Sequence, residues 1–414
     1  MSSVNKLYLY NLLTAASLTV VAEFLFVDQL LLRIRTGVVM MGVLKALIFF
    51  LPVVSYQLAV PLLNRSRAEI PLCAYCYVLR VLLPVLMPVA ALLGAGNTVL
   101  QCMGVVIFPV AMMLAAFGNN ALMIIYHEQL PPETFNRCSG IIQMCFNLPC
   151  FVLGVPVSFG LRRAAESDDR SFFLIYLAAM LLCALFQLPA FAVLRSLGRN
   201  SGHRGNDVRR ESWADLLRPY RDPGYRKTLV VTALHAVVGG AGLAYIGVFC
   251  LKIIGVSVSD AYLVRMIAAA IGLLLLPYAG KLADRIGYRR MYVGTGALLG
   301  LGLAAIVAFP YVWMLPFGAL LFWDGISSPV GSALGMCVHA AASKLAPDHG
   351  IAGYVAAFNV ARNAGMGAGA LAAGALFGVL SGAGVSEAAG MRIVFASCLL
   401  PLALLIVVGG RKEA

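Results

Sequence analysis

The chain breaks into about twelve apolar stretches of membrane-crossing length with short polar breaks between them, and that partition leaves little choice of architecture. The stretches fall near 7–32, 37–63, 71–94, 97–127, 136–160, 171–194, 227–252, 260–279, 290–311, 313–342, 350–379 and 388–410, and are called helices 1 to 12 below. A hydrocarbon core about 30 Å thick takes roughly 20 helical residues to cross. With 61% hydrophobic and 12% charged residues, 414 residues carry too little polar surface for a water-soluble globule. Backbone groups in lipid must pair within the protein, which leaves helices or closed barrels. The runs lack the alternation of barrel strands, so an all-α integral membrane protein is expected. The first stretch contains Glu23 and Asp28 and has no small-residue cleavage site, so it reads as a span rather than a leader peptide.

Lysines and arginines resist crossing the membrane during insertion and so mark the cytoplasmic loops. If both termini are cytoplasmic, the inner segments hold 20 of the 31 basic residues and the outer edges seven. Both termini are therefore expected inside, in a plasma (inner) membrane. The net charge of +13 follows from this bias and from attraction to anionic lipid heads, and requires no nucleic-acid partner.

Between helices 8 and 9 stands GKLADRIGYRR, residues 280–290. Its Gly280, Asp284, Arg285, Gly287, Arg289 and Arg290 match, in order and spacing, the glycine-aspartate-arginine-glycine-basic loop of the major facilitator superfamily of transporters, which the chain resembles. The resemblance implies twelve helices in two pseudo-symmetric six-helix bundles, with helices 1, 4, 7 and 10 lining a central cavity and 2, 5, 8 and 11 flanking it. It also implies a copy of the loop between helices 2 and 3. There the chain reads NRSRAEIP at 64–71, keeping Arg65, Arg67 and Glu69 but no glycine. Asp284 would face the positive N-terminal end of helix 5, an interaction of about 0.3–1 kcal/mol. Arg285, Arg289 and Arg290 would pair with cytoplasmic acids such as Glu128 or Glu133 in one state and release them in the other.

A repeat supports two halves. SGIIQMCFNLPCFVLG from residue 139 aligns without gaps on AGYVAAFNVARNAGMG from residue 352, an offset of 213 that pairs helix 5 with helix 11 and Gly140 and Gly154 with Gly353 and Gly367. The expected organisation is a bundle over 1–195, a basic cytoplasmic linker over 196–226 and a second bundle over 227–414. Within WADLLRPYRDPGYRK, the apolar Trp213, Leu216, Leu217 and Tyr220 have helical spacing and predict a short amphipathic helix on the inner membrane surface.

A charge at mid-bilayer costs upwards of about 2.5 kcal/mol and persists mainly beside a wet cavity, so ionisable residues within spans point to the cargo site. Glu23 in helix 1 and Arg362, with Asn363, in helix 11 lie deepest. A desolvated Glu23 suits proton coupling; Asp28 and His235 are further candidates. Arg362 suits an anionic or polyhydroxyl group, or an ion pair with Glu23. Lys45, Arg265 and Asp324, with Asp28, lie nearer the outer face and suit an extracellular gate. Arg80 in helix 3 is expected to reach back to the inner surface. Asn119, Asn120, Gln143, Asn147 and Trp323 are uncharged cavity candidates, which helix–helix hydrogen bonding explains equally well.

The glycines of GMGAGALAAGALFGVLSGAG in and after helix 11 read as close helix packing, or as a bending point. Cys73 and Cys76 form CAYC without a second pair or a histidine cluster, so no metal or cofactor is expected. There is no GxxxxGK loop and no catalytic triad. The expected protein is a monomeric secondary active transporter of a small-molecule solute, coupled to a proton or another ion, rather than an enzyme. A multidrug antiporter, a passive facilitator and a non-transporting membrane sensor on the same fold remain open.

Overall fold

The computed structural model describes residues 2–21, 24–66, 69–130, 135–198, 215–308 and 351–410, with Val330 and Ala333, and at some positions within them the backbone alone. Helix 1 comprises Ser3–Val21 and Phe24–Arg33; helix 2 is Val38–Ser66; helix 3 runs Glu69–Leu82, a 3-10 turn Leu83–Val85 and Leu86–Leu92. Helices 4, 5 and 6 are Asn97–Gln129, Phe135–Ala165 and Asp169–Gly198. Helix 7 is Pro223–Val248 closed by a π turn, Phe249–Ile254; helices 8 and 9 are Val258–Ile286 and Tyr288–Ala308. Helix 11 is Ile351–Gly382, and helix 12 is Glu387–Ser397 and Leu399–Gly410. The expected helix 10 lies outside the described residues apart from Val330 and Ala333. The fold is all-helical, and six of these helices are both long and apolar enough to cross a membrane, with mean hydropathy from 1.6 to 2.6.

Exposed leucines confirm which solvent the surface is built for. Leu182, Leu185 and Leu188 on helix 6, Leu274 and Leu275 on helix 8, Leu301 on helix 9 and Leu400 on helix 12 are each more than half exposed. Water would penalise such a girdle, whereas acyl chains match it. Polar residues turn inward instead. Ser17 of helix 1 donates to Gln187 of helix 6 at 2.6 Å, and Tyr126 of helix 4 donates to Asn11 of helix 1.

Helix 1 packs on helices 5 and 6, helix 3 on 4 and 6, helix 7 on 11 and 12, and helix 9 on 12. Between the two sets, helix 2 lies along helix 11 and helix 5 along helix 8. The helix 2–11 contact is antiparallel over its whole length: Gly42 meets Gly374, Phe50 meets Gly367, Tyr56 meets Asn363 and Val60 meets Ala356. Asn147 of helix 5 meets Gly272 of helix 8. Moved by the 213-residue offset of the repeat, that contact falls on Val360 and Ala59, inside the helix 2–11 ladder. The duplication read in the sequence is thus repeated in the packing.

Two boundaries differ from expectation. Helix 8 continues past its apolar run to Ile286, because Lys281 and Arg285 are good helix formers that extend into water. The whole turn is then Gly287, whose φ of 83° belongs to the left-handed region that only glycine enters without strain. Helix 7 starts at Pro223 rather than 227, because Asp222 caps it, accepting from the amides of Gly224 and Tyr225 at 3.0 and 3.3 Å. The segment before it forms a 3-10 turn, Asp215–Leu217, and one helical turn, Arg218–Arg221. Leu217 and Tyr220 are exposed, while Leu216 packs against Val60 and Ala356. Trp213 lies outside the described residues.

Candidate functional site

Counted from the face that carries the N-terminus, Tyr56 and Asn119 are each eleventh in helices 2 and 4. Arg80 and Arg362 are twelfth in helices 3 and 11, and His235 and Asn363 thirteenth in helices 7 and 11. At about 1.5 Å per residue, all six lie roughly 15–18 Å from the helix ends, near the middle of a bilayer. Five helices from both sets thus present polar groups in one layer.

Tyr56 is the centre of this layer. Its residue is 4% exposed, and its hydroxyl accepts from Asn119 Nδ2 at 3.5 Å and is hydrogen-bonded by Asn363 across the helix 2–11 contact. Asn120 Nδ2 donates to the Tyr56 carbonyl at 3.1 Å, fixing helix 4 against helix 2. The Tyr77 hydroxyl donates to Asn119 Oδ1. That bond depends on Gly118, since a Cβ there would stand 2.7 Å from the Tyr77 ring. A chain of hydrogen bonds therefore runs Tyr77, Asn119, Tyr56, Asn363, from helix 3 to helix 11.

Two guanidinium groups flank it. Arg80 and Arg362 both interact electrostatically with Tyr56, and Arg362 also with His235. Arg80 is half-buried, with its guanidinium 5.8 Å from the Tyr77 ring centre and 3.9 Å from Met112 Sδ. It stays with this cluster rather than reaching the inner surface, because the Tyr77 ring one turn back holds it by cation–π attraction. Arg362 is exposed. Among the described residues neither arginine forms an ion pair. Asn363 is also held by its own helix, donating to the Asn359 carbonyl at 2.9 Å.

The other sequence candidates are placed as follows. Asp28 and Lys45 are completely buried and pair with each other, Lys45 Nζ standing 2.8 and 2.9 Å from the two carboxylate oxygens. This pair joins helices 1 and 2 of the same set, beside Tyr176, which donates to Gln29. It does not on its own bridge the halves. Asn147 touches Gly272 at the helix 5–8 contact, and Gln143 is half-buried one turn away on helix 5. Gly280 lies within helix 8, and Arg285 and Arg290 are exposed on either side of Gly287. The side chains of Arg265, Asp284 and Arg289, and all of Glu23, Trp323 and Asp324, lie outside the described residues. Tyr56 and Tyr77 were missed in the sequence; the one local trace was FGNN at 117–120, a glycine beside paired amides in an apolar run.

Two sets of long helices, apolar outward and joined inward by a polar layer at mid-depth, define a polytopic membrane protein of transporter type. The profile of the Major Facilitator Superfamily matches residues 164–370, half of the chain, and the chain belongs to that family of membrane transporters. Among solved structures it is similar to a bacterial homologue of the iron transporter ferroportin in an outward-facing state, at 17% identity and TM-score 0.68, covering 99% of this chain and 98% of that one. A variant of the nucleoside transporter NupG is similar at 11% identity and TM-score 0.67, covering 99% and 100%. A bacterial homologue of the human lysosomal transporter Spinster, inward-facing, is similar at 16% identity and TM-score 0.63, covering 98% and 95%. At these identities the likeness concerns the fold alone. No match is found among curated proteins.

Proposed function

We propose that this chain is a secondary active transporter that exposes a central site alternately to each side of the membrane, with the cargo held at the layer of Tyr56, Asn119, Arg362 and Asn363. The observation that carries this reading is the Tyr56 hydroxyl, bonded from both halves at mid-depth with an exposed arginine beside it. An exposed guanidinium at that depth requires water, since hydrocarbon would penalise it by at least about 2.5 kcal/mol. A wet, polar layer between two bundles is where rocking of the halves exchanges access. The cargo is a small polar solute, anionic or rich in hydroxyls, because arginine and amides offer mostly donors. Glu23, on helix 1, takes the proton-coupling role by its depth in the sequence. Residues 1–195 and 227–414 act as the two rocking bundles, with both termini cytoplasmic.

Proteoliposomes containing the purified protein test this, with proton uptake recorded for pools of organic acids, sugars and cationic drugs. One pool of acids or sugars is expected to drive proton uptake, Glu23→Gln to abolish it, and Arg362→Gln to slow solute entry by about tenfold or more, as loss of a charged hydrogen bond does. Labelled solute that equilibrates without proton movement would make the protein a facilitator. Movement of the cationic pool alone would make it a drug exporter, and movement of nothing a sensor.

A further inference from the structure

We infer that the cargo is a divalent organic anion, bridged between Arg80 of helix 3 and Arg362 of helix 11; this rests on the transporter reading above. The two guanidinium groups come from opposite halves and share one neighbour, the Tyr56 hydroxyl. Among the described residues no carboxylate pairs with either. Arg80 lies beside aromatic and sulfur groups, Tyr10, Tyr77 and Met112, none of which neutralises it. The two like charges repel, and they repel across the contact on which the halves must open and close. Among the described residues, an anion with one negative group reaches one arginine and leaves the other without a counter-charge. An anion with two groups neutralises both, and by touching both halves it favours the arrangement in which they approach. The Tyr56 hydroxyl, which accepts from Asn119 and Asn363, keeps its own hydrogen to donate along the path between the arginines. Arginine suits both carboxylate and phosphate oxygens, so the shared chemistry is a double negative charge on a small organic frame.

The probes are succinate as dicarboxylate, glycerol phosphate as phosphate monoester, lactate as monovalent anion, and glucose and a quaternary ammonium ion as controls, each followed as labelled uptake into proteoliposomes of the full-length protein. Succinate or glycerol phosphate is expected to enter about tenfold or more faster than lactate, and whichever of the two moves identifies the anionic group. Arg80→Gln is expected to remove that preference by about the same factor, and Arg80→Lys to restore part of it. Melting of each variant in detergent is recorded alongside. Faster uptake of lactate, glucose or the ammonium ion by the wild-type protein would overturn the divalent cargo and leave the transporter reading standing. Arg80→Gln slowing every solute equally, with a lowered melting temperature, would make Arg80 structural and overturn the proposal. No uptake of any of these probes while a solute from the pools above still moves would overturn the divalent cargo alone, and movement of nothing would overturn both readings.

Discussion

Asp28 and Lys45 show how one buried charge depends on another. Both are inaccessible to solvent, and each carries a charge that would be costly alone between helices 1 and 2. Removing one partner leaves the other buried and uncompensated, which is more damaging than removing both. Lys45→Met is therefore expected to destabilise the protein by about 3–5 kcal/mol, whereas Asp28→Leu combined with Lys45→Met is expected to lie close to the wild type. Thermal unfolding in detergent measures both. A single variant that melts like the wild type would show that Asp28 takes up a proton readily, and would make Asp28 rather than Glu23 the residue to test for the proposed coupling. The sequence placed both residues on the right helices, but not their pairing. Hydropathy reports depth along a helix, and pairing depends on rotation about it. For the same reason Tyr56 and Tyr77 were illegible, since an aromatic ring in an apolar run carries no mark of where its hydroxyl points.

Helices 7 and 11 show the same limit in their glycines. The glycine-rich run of helix 11 was legible as close packing, but only some of its glycines serve that end. A Cβ on Gly369 would stand 2.1 Å from the Val237 carbonyl, one on Gly365 would stand 2.6 Å from that of Ala233, and one on Gly240 would stand 2.0 Å from that of Met366. Small residues four apart let the two backbones touch, and in lipid such packing supplies much of the association. Gly378, two turns further on, has nothing within 4 Å of its would-be Cβ. Gly369→Ala is accordingly expected to cost about 1–3 kcal/mol by forcing the helices apart. Gly378→Ala is expected to be neutral or to stabilise by up to about 1 kcal/mol, as alanine is the better helix former. Melting temperatures of the two variants decide it; equal losses would mean that the helix as a whole, not the contact, is sensitive. The ends of helices were the least legible part, because caps such as Asp222 and left-handed turns such as Gly287 act through single hydrogen bonds and dihedral angles.

At the scale of the whole molecule, the repeat in the sequence raised the expectation of two halves, and the helix 2–11 ladder is a long contact between helices assigned to different halves. In this structure the ladder is continuous from Gly42–Gly374 to Val60–Ala356, with Leu216 of the linker covering the last pair. Tyr354 donates to Asp222 at 3.1 Å, and Tyr225 donates to the Tyr354 carbonyl at 2.8 Å, so the start of helix 7 is fastened to helix 11 at the same end. Alternating access requires one end of such a ladder to part while the other holds. Among the described residues the Val60–Ala356 end carries small apolar contacts, each worth no more than about 1–2 kcal/mol, which suits the opening end in the proposed cycle. Cysteines replacing Val60 and Ala356, in a background without the ten native cysteines, are expected to form a disulfide that stops solute uptake in proteoliposomes. Reductant is expected to restore it. Full uptake with the disulfide formed would show that this end stays closed throughout the cycle, and that the halves part elsewhere.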